Sequence, residues 1–202
     1  MILYLHGFRS SPHSAKAQLL AQRMQQLGLA DRYYCPQLPA SPKAAMALAL
    51  AWAEQQCRRQ SPESSESSES LSIVGSSLGG FYATWLAERL DCRAVLLNPA
   101  VQPPRDLQNY VGVTTQYHSD EPFEFKAEYV AELQALTVPA ISRPERYFLI
   151  AATGDEVLDW REMTAHYPGA RQHIIEGSDH GISEFDRYVD EVLAFCGVVP
   201  QH

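Results

Sequence analysis

The sequence predicts an α/β fold: a mainly parallel sheet of about six strands, flanked by helices and carrying a small cap or lid segment. Short apolar runs rich in β-branched and aromatic residues alternate with longer stretches of helical period, the pattern left by βαβ units. Several of the apolar runs end in loops bearing Gly, Ser, Asp or His, at the strand ends where open α/β sheets bind ligands. A length of 202 residues suits one domain with a sizeable core. The chain is therefore expected to be a single domain over 1–202, with 101–146 as a cap or lid insertion.

Taken in order, the first strand is expected at Ile2 to Leu5, followed by a helix near Ser14 to Leu27. A short strand at Tyr33 to Cys35 leads to a helix from Pro42 to Arg59, with Ser41 as N-cap and Pro42 in the first helical position. The tract SPESSESSES reads as a solvated polar loop. A strand at Leu71 to Val74 then meets a helix at Leu78 to Leu90, and Ala94 to Leu97 forms the next strand. From Val101 to Arg146 the alternation stops. This stretch mixes prolines and aromatics with a modest helical pattern near Phe125 to Leu136, and its length is that of a binding loop or lid. Strands at Tyr147 to Ala151 and Gln172 to Ile175 complete the sheet, with helices at Trp160 to Tyr167 and Ile182 to Phe195.

Bulk properties exclude several functions. A formal net charge of -8 with scattered Lys and Arg argues against nucleic-acid binding, which needs clustered basic groups that release counterions. No run approaches the roughly 20 apolar residues of a membrane span, and the first residues lack the features of a signal peptide. The four cysteines, Cys35, Cys57, Cys92 and Cys196, form neither a CxxC pair nor a zinc spacing, so they read as packing residues of a protein in the reducing cytoplasm. No metal site is expected.

The chemistry concentrates at GSSLG, where Gly75, Ser77 and Gly79 satisfy G-x-S-x-G between a strand and a helix. In such a nucleophile elbow the serine sits on a strained turn, so the residues two before and two after it must be small. Ser76 reads as a turn residue. Serine attacks well only when a base takes its proton and an acid orients that base. Asp155 follows one strand end and His180 another, both on the edge of the sheet that carries Ser77. Glu156 and Asp159 are weaker rivals for the acid; His6, His166 and His173 are weaker rivals for the base; Asp179 reads as a turn neighbour. An oxyanion would need backbone N–H donors, and Leu78, directly after the nucleophile, and Phe8, in the His6-Gly7-Phe8 loop, are placed to supply them.

The order Ser, Asp, His is that of α/β-hydrolases. More narrowly, YLHGFRSSPHSAKA, IVGSSLGGFYATWLAE, LNPAV and TGDEVLDW resemble segments of the bacterial YqiA-like esterases, a small cytoplasmic family related to YcfP. The resemblance implies a reduced α/β-hydrolase fold lacking the first two strands of the usual sheet. It also implies hydrolysis of a carboxylic ester or acyl thioester by Ser77, His180 and Asp155, with no cofactor and a small-molecule substrate. The alternative of a different class is a non-catalytic binding protein on the same fold.

Overall fold

Strand pairing in the computed structural model, which describes residues 1–59, 70–116 and 122–198, is parallel throughout the main sheet. Its six strands are β1 (Ile2–Leu5), β2 (Tyr33–Tyr34), β3 (Ser72–Ser76), β4 (Arg93–Leu97), β7 (Tyr147–Ala152) and β8 (Arg171–Ile175). They lie in the order β2-β1-β3-β4-β7-β8. The chain reverses its direction of travel across the sheet between β2 and β3, so the ends of β1 and β3 meet at a topological switch, the usual ligand site of this class.

Each inner strand is apolar on both faces because helices cover both. Leu3, Leu5, Ile73, Leu96 and Leu149 point to the side of α2 (Pro42–Arg59), α3 (Leu78–Leu90) and α6 (Trp160–His166). Ile2, Tyr4, Val74, Val95, Phe148 and Ile150 point to the side of α1 (Ala15–Gln26) and α7 (Val189–Phe195). Burying each such side chain stabilises the fold by about 1.5–3 kcal/mol, which makes the sheet a firm platform for groups at its carboxyl edge.

Ser41 caps α2 as the sequence suggests, its hydroxyl accepting the Ala44 N–H at 3.1 Å. The other elements match within a residue or two, except that the helix expected near Phe125 to Leu136 spans Glu128–Ala135, with Phe125 ending a strand, and that the last helix starts late. The helix expected from Ile182 begins only at Val189, after a 3-10 turn at Phe185–Arg187, because Ile182 itself has φ 50. Most of SPESSESSES lies outside the described residues, as does the side chain of Cys57.

Between β4 and β7 the chain forms α4 (Pro103–Leu107), an antiparallel hairpin of β5 (Gly112–Thr115) and β6 (Pro122–Phe125), and α5 (Glu128–Ala135). The helix was legible; the hairpin was not. Glu132 of α5 accepts from Ser41 Oγ at 2.7 Å and from the Lys43 N–H at 2.9 Å, while Arg105 of α4 forms a fork with Glu162 of α6 at 2.9 and 2.8 Å. These contacts fasten the segment to the helices beneath it.

Candidate active site

Ser77 stands where β3 turns into α3, with φ 55 and ψ -122, a conformation that costs an ordinary residue of order 1–3 kcal/mol. The surroundings hold it there: its N–H donates to Leu97 O at 3.0 Å, and its carbonyl accepts from Gly80 and Ala100 at 2.8 and 3.0 Å. A methyl group on Gly75 would lie 2.2 Å from Gly79 O, and one on Gly79 would lie 1.9 Å from Leu5 O. The turn therefore closes only with glycine at both positions.

The loops after β7 and β8 bring two more side chains to this point. His180 Nε2 lies 3.1 Å from Ser77 Oγ, and His180 Nδ1 lies 2.7 Å from Asp155 Oδ2. The Asp155 side chain is fully buried, and its second oxygen accepts the N–H groups of Val157 and Leu158, each at 2.8 Å. A carboxylate so held can accept only from the near nitrogen of the imidazole, which leaves Nε2 free to face the serine. The two loops also pack directly: Gly177 N–H donates to Thr153 Oγ1 at 2.8 Å, and a methyl group on Gly154 would lie 2.7 Å from Ser178 O.

The rival residues have other places. Glu156 accepts the backbone N–H of His180 at 3.0 Å and does not touch the ring. Asp159 caps α6 by accepting from Arg161 N at 2.9 Å. Asp179 accepts from Ser183 N–H and Oγ at 2.9 and 2.6 Å, and those bonds hold its carboxyl below the usual range. His173 pairs with Glu191 at 3.1 Å, and His166 packs edge-on against Tyr167.

His6 braces the loop beside the serine. Its Nε2 accepts the Leu38 N–H at 3.0 Å, so the ring proton sits on Nδ1 and is donated to Gly7 O at 3.0 Å. Burial lowers its pKa and keeps the ring neutral. Gly7 in turn approaches the nucleophile so closely that a methyl group on it would lie 3.2 Å from Ser77 Cβ. Phe8 follows in the same loop, its ring edge-on to Phe123, Phe125 and Tyr110 at 5.2, 5.3 and 5.6 Å. Leu78 opens α3, where backbone N–H groups have no intrahelical acceptor.

Residues 1–197 match the model of the uncharacterised protein family UPF0227. The chain belongs to this family. Its fold is the α/β-hydrolase fold, as solved structures at low identity agree. Est1E from Butyrivibrio proteoclasticus with ferulic acid bound is 14% identical, with a TM-score of 0.69 over 96% of this chain and 87% of that one. For a structure of the metagenome-derived lipolytic enzymes LipS and LipT the figures are 16%, 0.68, 97% and 92%. For α/β hydrolase domain-containing protein 10 from mouse they are 14%, 0.67, 96% and 89%.

In this UPF0227 member one supporting residue escaped sequence reasoning. Asn98, fully buried just past β4 with φ 43, accepts the Ala152 N–H at 2.8 Å and donates to Asp179 O and His180 O at 3.1 and 3.0 Å. It ties the end of β7, which leads into the Asp155 loop, to the loop carrying His180. The signal available was an Asn directly after an apolar strand, a residue that tolerates positive φ. Among the described residues, no group of three or more His, Cys, Asp and Glu side chains is placed to hold a metal, and no helix is long and apolar enough to cross a membrane.

Proposed function

We propose that the protein is a cytoplasmic serine hydrolase that cleaves carboxylic esters or acyl thioesters through an acyl-enzyme. The observation that carries this reading is the continuous hydrogen-bonded chain from Asp155 through His180 to Ser77, at 2.7 and 3.1 Å, on a strained elbow. The names of the structural neighbours, which include lipolytic enzymes and an esterase from Pyrococcus furiosus, are consistent with it.

In the first half-reaction His180 Nε2 takes the Ser77 Oγ proton as the oxygen attacks the acyl carbon. Asp155 orients the ring and stabilises the imidazolium. The N–H groups of Phe8 and Leu78 receive the developing oxyanion, and each such donor is worth about 3–4 kcal/mol of barrier. The carbon to leaving-group bond then breaks, and His180 returns the proton to the departing alcohol or thiol. Water repeats the sequence on the Ser77 ester and releases the acid. The chain works as one domain, with residues 101–146 as a cap over the oxyanion loop through Phe8. A cavity of about 400 Å³ between Leu38, which bonds His6, and Phe123, which packs on Phe8, with Gln37, Gln116 and Glu124 also on its walls, is the place proposed for the rest of the substrate.

Replacement of Ser77 by Ala tests the reading. Hydrolysis of a p-nitrophenyl ester should fall to background with the circular dichroism unchanged. Turnover equal to that of the unaltered protein would refute it, and a protein inactive on all esters and acyl thioesters would favour a binding role.

A further inference from the structure

The catalytic reading leaves a buried lysine unused. On α1 the side chains of Lys16, Ala17, Leu20 and Met24 are buried, and Lys16 stands in line with Leu20 and Met24 at four-residue spacing. A lysine there is costly, since burial pushes its pKa down to about 8 even though Asp179 and Asp155 act to raise it. A leucine would fill the stripe without that penalty.

What the amine touches explains it. Lys16 Nζ donates to Gly181 O at 2.7 Å and to His180 O at 3.4 Å. From the other side Asn98 Nδ2 donates to Asp179 O and His180 O. Three consecutive carbonyls around the base thus point inward onto two buried donors, while Glu156 receives the His180 N–H at 3.0 Å. The segment has no helix or strand of its own to fix it: it runs between β8 and the 3-10 turn at Phe185–Arg187. Besides the turn bond from the Ile182 N–H to Asp179 O at 3.0 Å, its backbone is held by these side-chain contacts.

We propose that Lys16 is a positioning residue for the general base, clamping the His180 and Gly181 carbonyls so that the imidazole spans Asp155 and Ser77. The proposal rests on the serine-hydrolase reading. Without the clamp the Gly181 carbonyl loses its 2.7 Å donor, and the ring gains freedom to leave the line between carboxylate and hydroxyl. Displacement of a reacting group by about 1 Å costs on the order of 100-fold in rate. Substrate binding, which depends on the cavity and the oxyanion loop, is not touched by the clamp.

The test is a comparison of Lys16→Met, which keeps the volume and removes the donor, with the unaltered protein on a p-nitrophenyl ester. Lys43→Met, at an exposed position, controls for the change in charge. The expected result is a loss in kcat of about ten-fold or more, a KM changed by less than about two-fold, and broadening of the low-field proton resonance of His180 Nδ1–H. Lys43→Met should match the unaltered protein. An unchanged kcat in folded Lys16→Met, or a rise in KM alone, overturns the proposal while the hydrolase reading stands. If Lys16→Met does not fold, Lys16→Leu, which also removes the donor and suits the apolar stripe, is read by the same criteria. An unaltered protein without esterase or thioesterase activity overturns both.

Discussion

Gly75 and Gly79 face each other across the turn that carries Ser77, with room for no side chain: a methyl group on Gly75 would meet the carbonyl oxygen of Gly79 at 2.2 Å. The contact is with backbone, which cannot rotate away. Gly75→Ala should therefore destabilise the protein by about 3 kcal/mol, the upper end of ordinary overpacking, and displace the serine. Urea unfolding measures the first effect and esterase activity the second; a stable, fully active variant would contradict the steric account.

Asp155→Asn should lower kcat by about four orders of magnitude with little change in stability. The Val157 and Leu158 N–H groups fix which oxygen meets the histidine. An amide there presents N–H to Nδ1 and forces the proton onto Nε2, where it blocks proton transfer from the serine. Glu156→Gln keeps an acceptor for the His180 N–H and should cost less than about ten-fold. Reversal of the two effects in kcat measurements would exchange the roles of the neighbouring acids.

Removing the Asn98 side chain should both unfold and slow the protein. Asn98→Ala strands the Ala152 N–H, at about 1–3 kcal/mol for a buried unpaired group, while the Asp179 carbonyl keeps the Ile182 N–H at 3.0 Å. Denaturant midpoints and kcat should fall together, because the same amide joins the end of β7 to the His180 loop.

The neutral, buried His6 gives stability a pH dependence of definite sign. Burial holds its folded pKa below the ordinary histidine value of 6.5, so below pH 6.5 the unfolded chain binds the proton more readily. The contribution of His6 to stability is present above that pH and is lost as pH falls through the folded value. His166, also lowered by burial, acts in the same direction. His6→Gln should flatten part of the fall in unfolding free energy on acidification; an unchanged slope would show that His6 is protonated in the fold.

The sheet and the meeting of Ser77, His180 and Asp155 at its carboxyl edge were legible because their signals are local. Strand runs apolar on both faces, glycines two residues either side of Ser77, and Asp155 and His180 just past strand ends each follow from backbone geometry near them in sequence. The β5–β6 hairpin was not legible, since Gly112 to Thr115 and Pro122 to Phe125 are short and the Phe123 and Phe125 rings pack on Phe8, more than a hundred residues away. Lys16 and Asn98 were missed for the same reason: their partners are the carbonyls of residues 179–181, and no local pattern marks a side chain that serves a distant backbone.

The central claim is that Ser77 is the nucleophile and His180 its base. Intact-protein mass spectrometry after treatment with a fluorophosphonate tests it most directly. One phosphonate adduct, mapped to the peptide containing Ser77 and lost or slowed by at least about a thousand-fold in His180→Ala, is the predicted result. No adduct on the folded protein, or an adduct that forms equally fast without His180, would contradict it.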